Sequence, residues 1–342
     1  MLKLNYKYNL CVSYMVKRKM PNDFVLAITY SCNSRCRMCN IWKKEAQPVL
    51  ELAEYQKLPN NIKEANLTGG EPFLNPQLIE IIKILIAKNP KVRIIISSNG
   101  FATELIKQSM SAILKILPNI GIGISLDGIG EIHDQIRGIP SGFEKVMATI
   151  AMLKQLGVIN LRLAFTAGDY NINELNKVYK LSRELGVEFT LAAIHNADNY
   201  FNIVDNKISQ KDDFEREFKI LIKEELSGFN LKHWLRAYFA YALLQFIKSG
   251  KRLLPNYSGR DNVFIDPLGE VYPSDVSGHA MGNLSQVADF AELYYSLKSQ
   301  AAIELEVQNQ NWMICTARSA IKRHPLRVSG WIMKNKLFGL NL

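Results

Sequence analysis

FVLAITYSCNSRCRMCNIW, residues 24–42, joins an apolar, β-branched run to a loop that holds Cys32, Cys36 and Cys39 within eight positions. The run, residues 24–30 (FVLAITY), predicts a buried β-strand, because its side chains suit both faces of a covered sheet. Only two further cysteines, Cys11 and Cys315, occur among 342 residues. Five cysteines are an odd number and a poor disulfide framework. The triplet therefore indicates metal binding or cysteine chemistry.

Similar runs recur along the chain and predict a parallel sheet. Further strands are expected at 62–67, 92–97, 120–126, 161–166 and 187–194, and helices between them at 76–88, 103–117, 142–156 and 171–185. Strands that alternate with helices imply right-handed crossovers, in a full or partial barrel or in an open doubly wound sheet. In each of these folds the ligand site lies at the carboxyl ends of the strands.

Polar, glycine-rich segments follow several of these strands. The cysteine loop follows the first strand, residues 68–72 (TGGEP) the second and residues 98–100 (SNG) the third, while residues 125–128 (SLDG) end the fourth. All four segments are therefore expected on one rim of the sheet. This concentration favours an active site over ordinary turns.

The spacing of the three cysteines suits either an iron–sulfur cluster or zinc. A structural zinc site takes four ligands, commonly from paired C-x-x-C units, and the chain has no second cysteine pair. Three cysteines on a four-iron cluster would leave one iron open to another ligand. A non-catalytic iron–sulfur or zinc protein remains a distant alternative.

Together, C-x-x-x-C-x-x-C, GGEP and SLDG in this strand context resemble the radical S-adenosylmethionine (SAM) superfamily. The resemblance covers residues 23 to about 195 and implies an α/β fold, a partial (β/α)6 TIM-like barrel of parallel strands with a small α+β C-terminal extension. It also implies that Cys32, Cys36 and Cys39 hold one 4Fe-4S cluster, whose open iron binds SAM.

The resemblance extends residue by residue to SAM contacts. Met38 would face the adenine, Gly69, Gly70 and Glu71 would receive the methionine amino group, and Arg137 would reach the methionine carboxylate. Ser125 and Asp127 would bind the ribose, although Asp127 could instead cap a helix. Asn99 is included as a cofactor-binding residue, with plain turn chemistry at Asn99–Gly100 as the alternative.

Beyond the core, the resemblance weakens. Residues 196–254 are predicted to be helices that pack across the barrel, and residues 255–324 resemble a SPASM or twitch extension. That extension usually carries further clusters, but Ser274 and Asn311 stand where cysteines are usual, beside a single Cys315. We therefore expect one cluster, no auxiliary cluster and a degenerate SPASM/twitch-like extension.

Basic residues concentrate at the two ends, a basic N-terminal segment at 1–22 and a basic, aromatic tail at 325–342. Residues 1–20 and 316–342 contain no acidic residue, although the whole chain carries a net charge of +10. These ends either pack on the barrel or contact an anionic membrane surface. We expect a cytoplasmic protein, with peripheral membrane contact as a hypothesis and no nucleic-acid partner.

The resemblance implies an enzyme that cleaves SAM reductively, with an electron donor such as a flavodoxin or ferredoxin. The 5′-deoxyadenosyl radical would then abstract hydrogen from a substrate that the sequence does not identify. The basic termini favour a lipid-linked, phosphorylated or other small molecule. A peptide-modifying maturase is the alternative, which the short segment before the first strand makes less favourable.

Overall fold

The computed structural model describes residues 19–44 and 49–340. Cys11 and most of the basic N-terminal segment, 1–22, lie outside the described residues. Within the described part of the chain, no helix is both long enough and apolar enough to cross a lipid bilayer.

A single nine-stranded sheet organises the molecule, in the order β6-β5-β4-β3-β2-β1-β7-β8-β9. The strands are β1 Asp23–Ala27, β2 Glu64–Thr68, β3 Arg93–Ser98, β4 Gly121–Ser125, β5 Asn160–Ala167, β6 Glu188–Ala193, β7 Asn262–Ile265, β8 Glu270–Tyr272 and β9 Gly282–Asn283. Strands β1 to β7 pair in parallel, and β8 and β9 are antiparallel additions. No pairing between described strands closes the sheet. The expected α/β class is confirmed, and the sheet is open rather than a closed barrel.

Thirteen helices occur in the described residues besides short 3-10 turns. They are α1 Leu52–Tyr55, α2 Leu78–Lys88, α3 Thr103–Ile116, α4 Glu131–Arg137, α5 Gly142–Gln155, α6 Leu175–Glu184, α7 Asp198–Phe201, α8 Lys211–Ser227, α9 Leu231–Ser249, α10 Phe290–Tyr295, α11 Leu297–Glu306, α12 Ile314–Arg323 and α13 Pro325–Phe338. All four helices expected between the strands are present, with ends shifted by up to four residues.

The core strands are buried because helices cover the parallel sheet. Leu26, Leu67, Ile96, Ile124 and Leu163, one from each of β1 to β5, are almost completely buried in one apolar cluster. Since successive strands run in the same direction, their carboxyl ends form one rim. The parallel register places Thr68 beside Ala27 and thereby brings the GGEP segment next to the cysteine loop.

The extension continues the core sheet. Strand β7 pairs with β1 from Asp23 to Leu26, so the extension shares backbone hydrogen bonds with the first core strand. Helices α8 and α9 pack on each other, α8 packs on α6, and α9 packs on α12 and α13. These two helices therefore connect the β6 side of the core to the extension.

The C-terminal helix α13 is packed on the molecule by its inner face. Val328 and Ile332 are buried, and the Trp331 ring stacks on Tyr241 with ring centroids 4.6 Å apart. The packed-tail interpretation therefore holds for one face of α13.

Candidate active site

The cysteine loop rests on the C-terminal end of α4. The Arg35 amide donates to the Arg137 carbonyl at 2.9 Å, and the Arg37 amide donates to the Ile136 carbonyl at 2.8 Å. The Ser34 hydroxyl also donates to the Arg137 carbonyl at 2.9 Å. These bonds satisfy carbonyls that a helix end leaves without intrahelical partners. The loop that holds the three thiols is thus fixed to a second element of the core.

Polar neighbours surround Cys36, whereas Cys32 and Cys39 are governed by burial. Cys36 Sγ lies 3.0 Å from the Ser34 hydroxyl and 3.4 Å from Arg137 Nη1. Burial raises the pKa of Cys32 to about 11 and the pKa of Cys39 to about 12. These thiols are therefore protonated at neutral pH without metal, and iron binding would release their protons.

Three soft sulfur donors on one partly buried loop, with a cation beside them, fit an iron–sulfur cluster. Among the described residues, no three His, Cys, Asp or Glu side chains are grouped to hold a metal ion.

Gly69 and Gly70 pass directly over the backbone where β1 leads into the cysteine loop. A Cβ atom built on Gly69 would lie 2.3 Å from the Thr29 carbonyl oxygen, and one on Gly70 would lie 2.2 Å from the Ser31 carbonyl oxygen. The Gly70 amide donates to the Thr29 carbonyl at 2.7 Å. The close approach that requires glycine here is thus to the protein's own cysteine loop.

Glu71 is completely buried and joins the ends of β2 and β3. Its Oε1 accepts from the Ser98 hydroxyl at 2.9 Å and from the Phe73 amide at 3.3 Å, and its Oε2 accepts from the Asn99 amide at 2.7 Å. Burial raises the pKa of Glu71 to about 7, although these hydrogen bonds oppose the shift. In this structure both carboxylate oxygens of Glu71 thus accept hydrogen bonds from groups of the rim and hold those groups in place.

Asn99 combines turn geometry with a contact to the cysteine loop. Its side-chain oxygen accepts from the Phe101 amide at 3.0 Å, which is the turn chemistry expected as the alternative. Its amide nitrogen donates to Asn33 Oδ1 at 2.7 Å and lies 3.9 Å from Cys32 Sγ. The turn thus presents the Asn99 amide toward the thiols.

Asp127 and Arg137 form a buried ion pair on the same rim, with Arg137 Nη2 2.5 Å from Asp127 Oδ2. The other oxygen of Asp127 accepts from the Thr166 amide at 2.7 Å. Burial opposes the charge on Arg137, but Asp127 and Cys36 outweigh it and raise the pKa of the guanidinium. Arg137 therefore stays cationic and connects Asp127 to the cysteine loop.

The two remaining expected cofactor residues are Ser125 and Met38. Ser125 ends β4 and is partly exposed beside the rim. Met38 is buried, and its carbonyl accepts from Asn206 Nδ2 at 3.1 Å.

Two residues on the rim have no sequence motif around them. His133 Nδ1 accepts from the Asp127 amide at 3.1 Å, and burial lowers the pKa of this histidine to about 3, so it is neutral. Asn171 Nδ2 donates to the carbonyl oxygens of Asp127 and Thr166. Both residues hold Asp127 through its backbone, and only the folded chain reveals this.

A cavity of about 550 Å³ lies at the carboxyl end of β6, between α9 and the extension. Its lining includes several side-chain amides and two basic or titratable side chains, His195 and Lys211, but no carboxylate. Apolar side chains such as Trp312 complete the wall. Asn206 lines the cavity and also bonds the Met38 carbonyl, which connects the cavity to the cysteine loop.

The two positions where the SPASM resemblance expects cysteines meet at a carboxylate. Ser274 Oγ donates to Glu306 Oε1 at 2.8 Å, and Asn311 Nδ2 donates to the same oxygen at 3.0 Å. Glu306 is completely buried, and Asn309 donates to its other oxygen at 2.8 Å. Cys315 is buried nearby on α12, and burial raises the pKa of its thiol. A buried hydrogen-bonded network centred on Glu306 thus occupies the positions where the resemblance expects cysteines.

Comparison with protein families finds a match in the core of the chain. Residues 26–182 match the model of the Radical SAM superfamily. This match spans the cysteine loop, the GGEP and SLDG segments and Arg137.

Particular relatives resemble about half of the chain. The subtilosin biosynthesis protein AlbA of Bacillus subtilis is 28% identical over 176 residues, which are 49% of this chain and 38% of AlbA. An AdoMet-dependent heme synthase of Oleidesulfovibrio alaskensis is 30% identical over 168 residues, 46% of this chain and 42% of the synthase. The chain thus spans about two fifths of the length of each.

Solved structures show the same fold over nearly the whole chain. The structure of anSMEcpe with bound AdoMet and a peptide superimposes with a TM-score of 0.63 and 18% identity, covering 92% of this chain and 99% of that one. SuiB of Streptococcus suis bound to S-adenosylmethionine gives a TM-score of 0.62 with 15% identity, covering 85% of this chain and 70% of that one.

Proposed function

We propose that this protein is a radical SAM enzyme in which Cys32, Cys36 and Cys39 hold one 4Fe-4S cluster beside a SAM site on the sheet rim. The observation that carries the proposal is the docking of the cysteine loop against the GGEP segment and the end of α4. When bound, the cluster would supply an electron that cleaves SAM, and the resulting 5′-deoxyadenosyl radical would abstract hydrogen from the substrate.

The chain's own residues would bind and orient these groups. Gly69 and Gly70 let β2 approach the cysteine loop, and Glu71 fixes the Asn99 backbone that faces it. Arg137 keeps a positive charge next to Cys36 Sγ, where it would stabilise a ligating thiolate. SAM contacts at Met38, Gly69, Gly70, Asn99, Ser125, Asp127 and Arg137 are proposed on this arrangement.

A bound SAM would compete for groups that already have partners here. Arg137 pairs with Asp127, and Glu71 uses both oxygens inside the rim. We infer that Glu71 acts on SAM through the position of Asn99, as a positioning residue. Exchange of the Arg137–Asp127 pair for contacts with SAM would be needed if either residue binds it directly.

A single cluster is supported by the Glu306 network. Ser274 and Asn311 both donate to the same oxygen of the Glu306 carboxylate. These two positions therefore offer no thiolate, and their side chains supply hydrogen bonds to a buried carboxylate instead. Buried polar groups that are fully hydrogen-bonded stabilise a fold without a metal. The extension would thereby keep its fold without an auxiliary cluster, and substrate oxidation would need an external electron acceptor.

The cavity beside β6 is proposed as the substrate site. Its lining holds donors and the cationic Lys211 without a carboxylate, which favours a ligand with anionic or acceptor groups, such as a phosphorylated or lipid-linked small molecule. The apolar wall that includes Trp312 would hold a hydrocarbon portion of such a ligand.

A peptide substrate is the second candidate, and a specific finding favours it. AlbA and the maturation protein SkfB of Bacillus subtilis are among the relatives, and SuiB and anSMEcpe are seen with peptides. Asparagine and glutamine side chains in the cavity could also bind a peptide backbone. A flavodoxin or ferredoxin is proposed as electron donor for either substrate, and no nucleic-acid partner is proposed.

The proposal is tested by an anaerobic assay of SAM cleavage. Reconstituted, reduced protein should form 5′-deoxyadenosine from SAM, and Cys36→Ala should form none. Absence of 5′-deoxyadenosine from the wild type, with a positive control active in the same reaction, would contradict the proposal. Lys211→Glu should then weaken binding of anionic substrates while leaving this uncoupled cleavage unchanged.

A further inference from the structure

Helix α13 exposes a stripe of large apolar side chains on the face turned away from the protein. At about 100° per residue, Leu326, Met333 and Leu337 fall within about 40° of one another around the helix axis. Their exposures, and that of the neighbouring aromatic ring, are Leu326 87%, Met333 51%, Leu337 68% and Phe338 83%. Such a stripe is costly in water unless another apolar phase covers it.

The stripe continues onto the turn between α8 and α9. There Phe229 is 93% exposed and Leu231 is 64% exposed. Lys336 of α13 connects the two parts, since its Nζ donates to the carbonyls of Leu226 and Gly228 and lies 4.9 Å from the centre of the Phe229 ring. We call the exposed side chains of α13 and this turn the α13 patch: Phe229, Leu231, Leu326, Met333, Leu337 and Phe338.

Positive charge borders the α13 patch. Arg327 and Lys334 lie at the edge of the stripe, and neither has an ion-pair partner among the described residues. The sequence has no acidic residue after Glu306. Lys322 and Arg323, by contrast, are paired with Glu64 and Asp261 and so contribute less.

The helix is held with this face outward. Trp331 stacks on Tyr241 at 4.6 Å and packs edge-on against Tyr238 at 5.4 Å, and Ile332 is buried beneath it. Because the inner face is occupied by the protein, α13 can only lie along a surface and cannot insert across a bilayer.

We propose that the α13 patch docks this protein on an anionic lipid bilayer. Leu326, Met333, Leu337, Phe338 and Phe229 would enter the interface between headgroups and acyl chains, and Arg327 and Lys334 would lie at the anionic headgroups. Charge complementarity selects this occupant. A second copy of the chain would bring the same unpaired cations together, which repel each other, whereas anionic lipids attract them.

Vesicle binding by the full-length protein tests this proposal. Co-sedimentation uses vesicles of phosphatidylcholine alone and of equal parts phosphatidylcholine and phosphatidylglycerol, at low and high salt. The wild type should bind the anionic vesicles at least about tenfold more strongly than the neutral ones, and salt should weaken that binding. Equal binding to both vesicle types, or no binding, would overturn the proposal.

Paired variants distinguish vesicle binding by the α13 patch from nonspecific binding by exposed apolar side chains elsewhere. Leu337→Glu with Phe338→Glu should lower anionic-vesicle binding at least about tenfold, since the apolar contacts are lost and the two introduced carboxylates are repelled by the anionic surface. The matched control, Ile159→Glu with Leu297→Glu, changes two exposed apolar residues elsewhere and should bind as the wild type. A loss in the control equal to that in the patch variant would overturn the proposal.

A third variant tests the charge alone. Arg327→Glu with Lys334→Glu should lower binding to anionic vesicles and leave binding to neutral vesicles unchanged. Thermal unfolding checks that all variants fold, which their exposed positions favour. A dimer in gel filtration that disappears in the Leu337/Phe338 variant, without vesicle binding by the wild type, would assign the patch to a second copy and overturn the proposal.

Discussion

Replacing Gly70 by alanine should displace the cysteine loop. The added Cβ would lie 2.2 Å from the Ser31 carbonyl oxygen and 2.6 Å from the Tyr30 carbonyl oxygen, whereas real Cβ contacts essentially never fall below 3.0 Å. The backbone must therefore separate by about 0.8 Å, directly before Cys32. Both close atoms belong to backbone, so no side-chain rotation relieves the contact.

The expected cost follows from overpacking in a closely packed region. Insertions of this kind destabilise proteins by about 1–3 kcal/mol. Because the displaced segment carries the ligands, Gly70→Ala should also bind iron less tightly and retain less iron after gel filtration in the presence of a chelator. SAM affinity is expected to fall with the iron, as a consequence of the moved loop.

Urea unfolding of the metal-free protein and an iron assay after anaerobic reconstitution measure the two effects. Gly278→Ala is the matched control, since a Cβ there meets nothing within 4 Å and the residue is not at a positive φ. It should keep the stability and iron content of the wild type. Wild-type stability together with wild-type iron retention in Gly70→Ala would refute the reasoning.

Other perturbations concern the buried charges and Cys315. Arg137→Leu should destabilise the metal-free protein by about 3–5 kcal/mol, because it leaves Asp127 buried without its cation, and in urea unfolding the double variant with Asp127→Leu should recover part of this loss. Burial raises the pKa of Glu71 to about 7, above its value of about 4.3 in the unfolded chain. Between these two values the folded protein binds a proton that the unfolded chain has lost. The free energy of unfolding should therefore fall by about 3 kcal/mol as pH rises from about 4 to 7. Glu71→Gln should flatten this part of the pH–stability profile, and an unchanged slope would contradict the assignment. Glu306→Ala should lower the unfolding free energy by about 1–3 kcal/mol, because the buried donors of Ser274 and Asn311 lose their acceptor, and it should leave the iron content unchanged. Cys315→Ala should change neither the iron content nor the cluster spectrum. Loss of iron in either variant would argue for an auxiliary cluster.

Local sequence signals predicted the regular elements well. The alternation of β-branched runs with helical periodicity located β1 to β6 and the four helices between them. This worked because the pattern of a segment depends on which of its own side chains are buried, and not on which segment it pairs with. The strand predicted at 24–30 ends earlier in the structure, at Ala27, and the Gly69 backbone lies against Thr29 just beyond that end. The pairing of β7 with β1 was not predicted, because nothing in residues 262–265 specifies a partner more than two hundred positions away.

The candidate site shows the same limit. Motifs predicted that the cysteine loop, GGEP and SLDG would share a rim, and the parallel register places these segments together. The contacts of individual side chains depend on long-range packing, however. That Arg137 braces the cysteine loop by its carbonyl, or that Glu71 bonds Ser98 and Asn99, depends on where α4 and β3 end in space.

Glu306 shows why the extension could be read only in part. The sequence shows that Ser274 and Asn311 replace expected cysteines, but Glu306 lies within the otherwise ordinary helix α11. Only the fold brings its carboxylate to both replaced positions. A substitution of ligand residues is visible in sequence, whereas the group that compensates for it is found through structure.

The most direct test of the account is electron paramagnetic resonance of the reduced, anaerobically reconstituted protein, combined with its iron content. The account predicts about four irons per chain and one cluster signal that changes when SAM is added, with both lost in Cys36→Ala. An iron content near zero, or a cluster signal that is unaffected by saturating SAM, would contradict the claim that the cysteine loop holds a cluster with an iron open to SAM.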